Sequence, residues 1–419
     1  MKKMLPLLLI LALLTGCISS LASEPSLTDD IKRDDIAPVI IADDNDQTKQ
    51  ITQFALDIFN ELEQDKNVLI SPLSIISALS MTANGADTET LAQIEDVFGA
   101  DIDKLNDYLY AYNLELPSDK KYEVSLANSV WIRDDEKLII EDEFLQSSVN
   151  YYDSQIFKLD FDDTLAKKVN NWVSDNTDGM IEQLLSENDE IDENTMLYLI
   201  NALSFDAEWK NIYYDTSISE KTFNNFDGST TDTDMMYSLE NVYLEMENAT
   251  GFKKYYADNA YSFVALLPNE DVDINDFVAS LDGETLINTL KNYSSERVNT
   301  RLPKFSLEYE TELSQMLKSL GMELAFDPFD ADFTGVGRYE SEIPDEGNLY
   351  ISQVIHKTII DVDEKGTKAG AITSVQMSSS TSSAQAPPKE VYLDRPFFYM
   401  IVDETYNLPL FMGTFLQAE

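Results

Sequence analysis

Two long apolar runs limit what this chain can fold into. NTMLYLINALSF (194–205) and SLANSVWI (125–132) are almost continuously hydrophobic, where a strand with one wet face would alternate. Strands of that kind lie in the middle of a sheet covered on both faces, so the sequence calls for a wide sheet between other layers. Helical patterns supply the cover. Ile51, Phe54, Ala55, Ile58, Phe59 and Leu62 recur at helical spacing within 48–63, and 88–98 reads as another helix. Between them, 68–70 is a short strand, Ser71-Pro72 a helix start and Gly85 its stop. Further on, VALLPN (264–269) ends a strand in a turn and TELSQMLKSLG (311–321) is a short helix closed by Gly321. Residues 396–402 and 409–415 form a closing hairpin around DETYN. With no internal repeat and no second linker, residues 48–419 are expected to form one mixed α/β (α+β) domain.

Charge and cysteine usage narrow the setting. The chain has 77 Asp and Glu against 29 Lys and Arg, a net of −48, which excludes nucleic-acid binding and electrostatic attachment to anionic lipid. Hydrophobic content is 43%, ample for a core, so the acidity reads as a solvated coat on an ordinary fold. The single cysteine, Cys17, follows a basic start (Met1-Lys2-Lys3) and an apolar run from Leu5 to Leu14 too short to span a bilayer. Leu14-Thr15-Gly16-Cys17 resembles a prokaryotic lipobox, which implies a lipoprotein signal over 1–17 and lipidation of Cys17 as the first mature residue. The expected location is extracellular, lipid-anchored to the outer face of the cell membrane. Residues 18–47 are acidic and without sustained periodicity, and are expected to be a flexible tether. No disulfide is available.

Enzymatic chemistry has little to work with. The chain has one histidine and no thiol other than Cys17, so His/Cys zinc sites and Cys-His or Ser-His nucleophile pairs lack their parts. His356 lies in QVIHKTIIDVD, sharing a strand face with Val354, Thr358 and Ile360, the setting of a hydrogen-bonded structural histidine. There is no glycine-rich phosphate loop. No metal or other cofactor is expected.

One segment is written in two ways at once. In DVDEKGTKAGAITSVQMSSSTSSAQAPPKEVYL (361–393), Thr367, Ala369, Ala371, Thr373, Val375 and Met377 fall on alternate positions, as in a strand with a buried face. Ser, Thr, Ala and Gln then take over until Pro387-Pro388. The stretch combines strand alternation with loop composition.

Several stretches carry a family. NVLISPLSIISALSMTANGADTETLAQIEDVFG (67–99), LINALSFDAEW (199–209), RLPKF (301–305), FDADFTGV (329–336), VIHKTIIDVDEKGTKAGAIT (354–373) and DRPFFYMIVDETYNLPLFMGTF (394–415) resemble, in order, stretches of the serpins. The sequence departs from the family pattern at Asp206-Ala207, where Lys-Gly is usual, and in a loop several residues longer than common between Glu364 and Pro396. The resemblance implies a large central sheet, further sheets, surrounding helices and an exposed reactive-centre loop, about 364–395. It implies that a serine protease cuts the loop, which then inserts as a central strand and traps the enzyme as its acyl complex. The hinge would be Glu364, Gly366, Thr367, Ala369, Ala371 and Thr373, with Gly366 a bend. Gating of the sheet falls to Ser71, Ser74, Asn201 and His356, with plain packing or capping as the other reading of each, and Trp209 is a structural partner. Counting from the hinge puts the reactive bond at Ser380-Thr381; counting back from Arg395-Pro396 puts it at Gln385-Ala386. Either suits a protease with a small or apolar pocket, subtilisin-like, elastase-like or chymotrypsin-like. The protein is expected to be a monomeric inhibitor and not an enzyme; the alternative is a non-inhibitory surface chaperone or carrier.

Overall fold

The computed structural model describes residues 24–43, 45–62, 65–116, 118–186, 191, 195–339, 348–367 and 386–418. Three helices frame the central sheet or pack near its edge, α2 (Pro72–Ala83), α3 (Asp142–Tyr152) and α4 (Leu165–Asn176), while α1 (Asp46–Glu61) packs on α2. The central sheet is built from β1 (Tyr122–Arg133), β2 (Gln155–Leu159), β3 (Leu197–Glu208), β4 (Phe305–Glu312), β5 (Gln353–Val362) and the two-residue β6 (Gly366–Thr367). Its order is β4-β5-β6-β3-β1-β2.

Residues 197–205 of the apolar run fall in β3, at the middle of the sheet, as their composition requires. On one face α4 covers a cluster that includes Trp131, Phe157, Trp172, Tyr198 and Ile200. On the other face lie α2 and a second six-stranded sheet centred on the antiparallel hairpin Phe397–Asp403 and Leu408–Phe415. The run 125–132 is covered only in part: β1 is fully buried from Asn128 to Ile132 and half-exposed before that. A third sheet of four strands runs Lys389–Tyr392, Val298–Pro303, Thr230–Glu240, Ile218–Asn224.

Three expectations need correction or refinement. The helix read over 311–321 begins only at Ser314, because Thr311 and Glu312 complete β4 against His356 and Ile355 of β5. Gly85 does stand at the helix stop, since α2 ends at Ala83 with Asn84 still helical; its φ is not in the left-handed region, and a Cβ on it would stand 2.2 Å from Val336 Cγ2. The glycine serves close packing of the chain around Gly335 and Val336. The third concerns the tether, of which only 24–43 and 45–47 are described. Ser26 and Thr28 are buried, and Ser26 Oγ donates to the Ile156 carbonyl (3.0 Å) and accepts from the Ile156 amide (2.9 Å). The Leu27 amide donates to the same carbonyl at 2.7 Å, and Thr28 Oγ1 donates to Ser154 O at 3.0 Å. Arg33 pairs with Asp153 at 3.1 Å, and the Asp34 amide donates to Asn150 on α3. Residues 26–34 are therefore a strap along β2 and the end of α3. The strap satisfies outer-edge groups of β2 that would otherwise face solvent. Limited proteolysis should spare 26–34; early cuts inside that stretch would show it undocked.

Candidate functional site: an unfinished ladder in the central sheet

β3 and β5 run parallel, but their ladder is formed only at its lower end, where Gln353, Val354 and Ile355 meet Tyr198, Leu199 and Ile200. At the upper end β6 lies between them: Thr367 opposes Val362 on one side and Ala207 on the other, and Gly366 opposes Glu208. Among the described residues, none is a ladder partner of Asn201 to Asp206 of β3 on the β5 side. A strand continued from Thr367 would have backbone groups to pair with on that line.

A chain of polar side chains closes the lower end. Ser71 is the N-cap of α2, its Oγ accepting from the Ser74 amide at 3.3 Å, while the Ser71 amide donates to His356 Nε2 at 3.0 Å. Ser74 Oγ donates to Asn201 Oδ1, Asn201 Nδ2 donates to Asn128 Oδ1, and Asn128 Nδ2 donates to Tyr152 O at 3.3 Å. These contacts tie α2, β5, β3, β1 and α3 together across the line along which the sheet would part. Sequence reading found Ser71, Ser74, Asn201 and His356 but missed Asn128, although an amide inside the otherwise apolar SLANSVWI was a visible signal. Beneath them lies a cavity of about 10 Å³ lined by Ser74, Ala78, Asn201, Leu313, Val354 and His356, room for one water at most.

Burial holds His356 well below its usual value, to about 3, so its Nε2 is a neutral acceptor at neutral pH. The group is depressed in the folded state. Its contribution to stability is fully present above the unfolded value of 6.5 and is lost progressively as pH falls toward about 3. Between pH 6.5 and 4 the unfolding midpoint should fall more steeply in the parent than in His356→Gln; parallel pH profiles would contradict this role.

The upper end is clamped around the start of the loop. Asp363 Oδ1 accepts from the Lys365 (2.7 Å) and Gly366 (3.1 Å) amides, shaping the turn out of β5. Trp209 Nε1 donates to Asp363 O at 2.8 Å, the Trp209 amide donates to Lys365 O at 2.7 Å, and the Tyr213 amide donates to Glu364 O at 2.8 Å. Glu364 pairs with Lys304 at 2.7 Å, and that hydrogen bond holds its carboxyl below the usual range. Thr367 is 1% exposed, with Oγ1 2.5 Å from Tyr256 Oη; Tyr256 stacks on Trp209 at 4.3 Å between centroids. Trp209, expected as a structural partner, is thus the platform of the hinge. Tyr256, Tyr213 and Lys304 were not singled out in the sequence, where they stand in unrelated stretches.

Gly366 has a role different from the expected bend. Its φ is not in the left-handed region; a Cβ there would lie 1.9 Å from the Ala207 carbonyl oxygen. The glycine lets the hinge backbone reach β3. Ala386, with Pro387, is exposed where the chain returns toward Lys389–Tyr392. Ala369, Ala371, Thr373, Ser380, Thr381 and Gln385 lie outside the described residues, as does Cys17. Among the described residues no group of three His, Cys, Asp or Glu is arranged to hold a metal ion, and no helix is long and apolar enough to cross a membrane.

Comparison with known proteins agrees with this geometry. The family model described as Serpin (serine protease inhibitor) matches residues 49–418. An uncharacterized serpin-like protein of Methanosarcina acetivorans is 31% identical, with 96% of this chain and 93% of the relative covered. Plasminogen activator inhibitor 1 of Neovison vison is 30% identical over 87% of this chain and 92% of its own. Among solved structures, the thermophilic serpin tengpin in its native state superposes with a TM-score of 0.87 at 42% identity, covering 94% of this chain and 99% of that one. In its latent state the TM-score is 0.79, at 43% identity and 91% and 100% coverage.

Proposed function

Because this chain belongs to the serpin family, we propose that it is an inhibitory member that traps a serine protease by inserting its cut loop into the central sheet. The observation that carries this reading is the hinge. Gly366 and Thr367 already pair as a two-residue strand between β5 and β3, and beyond them β3 has no ladder partner on that side among the described residues. The alternation from Thr367 to Met377 supplies the rest of that strand, with small or β-compatible side chains on the buried face.

The chemistry belongs to the enzyme. The protease serine attacks the loop carbonyl, the peptide C–N bond breaks, and the amine leaves as a new N-terminus. Ser380 then becomes the acyl group if cleavage falls before Thr381; Gln385 does if it falls before Ala386. The freed segment zips downward from Thr367, and the network of His356, Ser71, Ser74, Asn201 and Asn128 yields to let β3 and β5 part. Carried to the far end, the protease is deformed at its oxyanion hole and deacylation stalls. The run of Ser, Thr and Ala favours enzymes with small or apolar pockets. Cys17 would hold the inhibitor on the outer face of the membrane by lipid.

Insertion has a signature of its own. Cutting the loop with a protease that is not trapped should raise Tm by on the order of 10 °C or more, because a new central strand is paired and buried. An unchanged or lower Tm after a single loop cut would contradict the reading.

A further inference from the structure

The docked strap shortens the reach of the chain between Cys17 and the folded domain. Cys17 and the start of α1 at Asp46 are 29 residues apart, and a free chain of that length reaches up to roughly 100 Å. The strap uses up most of it. Arg33 and Asp34 are bound at Val149, Asp153 and Asn150, Thr28 at Ser154 and Ser26 at Ile156, so the strap runs antiparallel to β2 along its outer edge. Glu24, two residues further back, pairs with Lys168 of α4 at 3.6 Å. Only nine residues then separate Cys17 from Ser26, and they span no more than roughly 30 Å.

Register fixes where on the sheet that short reach begins. Ile156 lies beside Val130 and Val130 beside Leu199, so Ser26 sits at the level of the Val354–Leu199 ladder, at the lower end. Thr367 lies beside Ala207, eight residues further up β3, or roughly 27 Å. Ser306 of β4, beside Asp361, is at the upper end of the opposite edge, five strands across or roughly 24 Å. A domain spanning 49–418 is roughly 55 Å across, and the way round its surface to the side opposite the strap is roughly 80 Å. Nine residues do not cover that distance; 29 would.

We propose that the strap fixes how the protein stands on its membrane, with the β2 edge and α4 facing the bilayer and the opposite edge and the loop-bearing end facing solution. The partner of the β2 edge is the outer bilayer surface. Covalent reach holds it there and charge does not, since Asp29 and Asp30 are exposed on the strap and are repelled by anionic headgroups. The loop is thereby open to a protease arriving from solution. This pose rests on lipidation of Cys17 and adds to that reading an orientation that an undocked chain of 29 residues would not give.

The test uses the full lipidated protein, purified from its own membranes and reconstituted into phosphatidylcholine vesicles that carry rhodamine on outer-leaflet headgroups. Intact mass establishes the lipid on Cys17, which leaves one introduced thiol for a donor dye, at Lys167→Cys on the exposed side of α4 or at Ser306→Cys, each checked for parent-like Tm. Energy transfer should be at least twofold more efficient from residue 167 than from residue 306. Inserting about twenty Gly and Ser residues between Cys17 and Glu24 leaves the strap in place and should bring the two efficiencies together. Equal transfer from the two sites without the insertion, or stronger transfer from residue 306, would overturn the pose and leave lipidation standing. A difference that survives the insertion would overturn it too, because reach would then not be what orients the domain. An unlipidated Cys17 would sink the anchor reading and the pose together. A soluble protease that cuts the loop in detergent should cut it within twofold of that rate on vesicles; tenfold slower cleavage on vesicles would place the loop against the bilayer and contradict the pose.

Discussion

Thr367→Arg should convert the protein from a trap into a substrate, with loop cleavage as fast as in the parent and the trapped fraction at least tenfold lower. Thr367 is 1% exposed between Val362 and Ala207, and its hydroxyl meets Tyr256 in the stacked pair with Trp209. A guanidinium there has no partner and costs several kcal/mol to bury, so the hinge would be held out of the sheet. Insertion is a race against deacylation, and a delay at the first residues loses it. The check is the ratio of trapped to released enzyme after single turnover. Unchanged trapping by Thr367→Arg would mean that insertion does not begin at this hinge.

The second large effect is on stability, at the platform under the hinge. Lys254 and Glu240 are 1% and 7% exposed and pair at 3.0 Å; the Lys254 ammonium also lies 5.2 Å from the Trp209 ring centroid and 4.1 Å from that of Tyr213. Glu240→Ala leaves that cation buried without its carboxylate and should cost about 3–5 kcal/mol, read by denaturant unfolding. Burial already lowers the Lys254 value from 10.5, and loss of Glu240 lowers it further. A base depressed in the folded state gains stability as pH rises toward its unfolded value, so the deficit of Glu240→Ala should narrow as pH approaches 10.5. A deficit constant across that range, or below about 1 kcal/mol, would show that Trp209 and Tyr213 hold the ammonium without Glu240.

Much of this was legible in the sequence because it is local. The continuous apolarity of 194–205 placed β3 at the centre of a sheet, and Ser71-Pro72 marked the start of α2. The family resemblance then pointed to His356, Asn201 and Trp209, whose positions near β3 and β5 no single-residue pattern reveals. What stayed hidden depends on distant backbone. Gly366 looks like a bend, and Gly85 like nothing more than a helix stop, until Ala207 and Val336 are seen against them. The strap at 26–34 is polar because its bonds go to the edge of β2, whose free N–H and C=O groups have no side-chain signature. Lys304 reaches the hinge from the turn before β4, and Lys254 and Tyr256 from the end of the strand Ala249–Tyr255, and only the folded chain brings them there.

The most direct test of the central claim is to incubate the purified protein with subtilisin, elastase, chymotrypsin and trypsin, denature the mixtures, and weigh both the surviving adduct and the released C-terminal fragment. The expected result is a denaturation-resistant one-to-one adduct with at least one of the first three enzymes, and a released fragment beginning at Thr381, or at Ala386 if the cut lies at the later bond. Release of that fragment by every enzyme with no adduct would contradict the trapping mechanism.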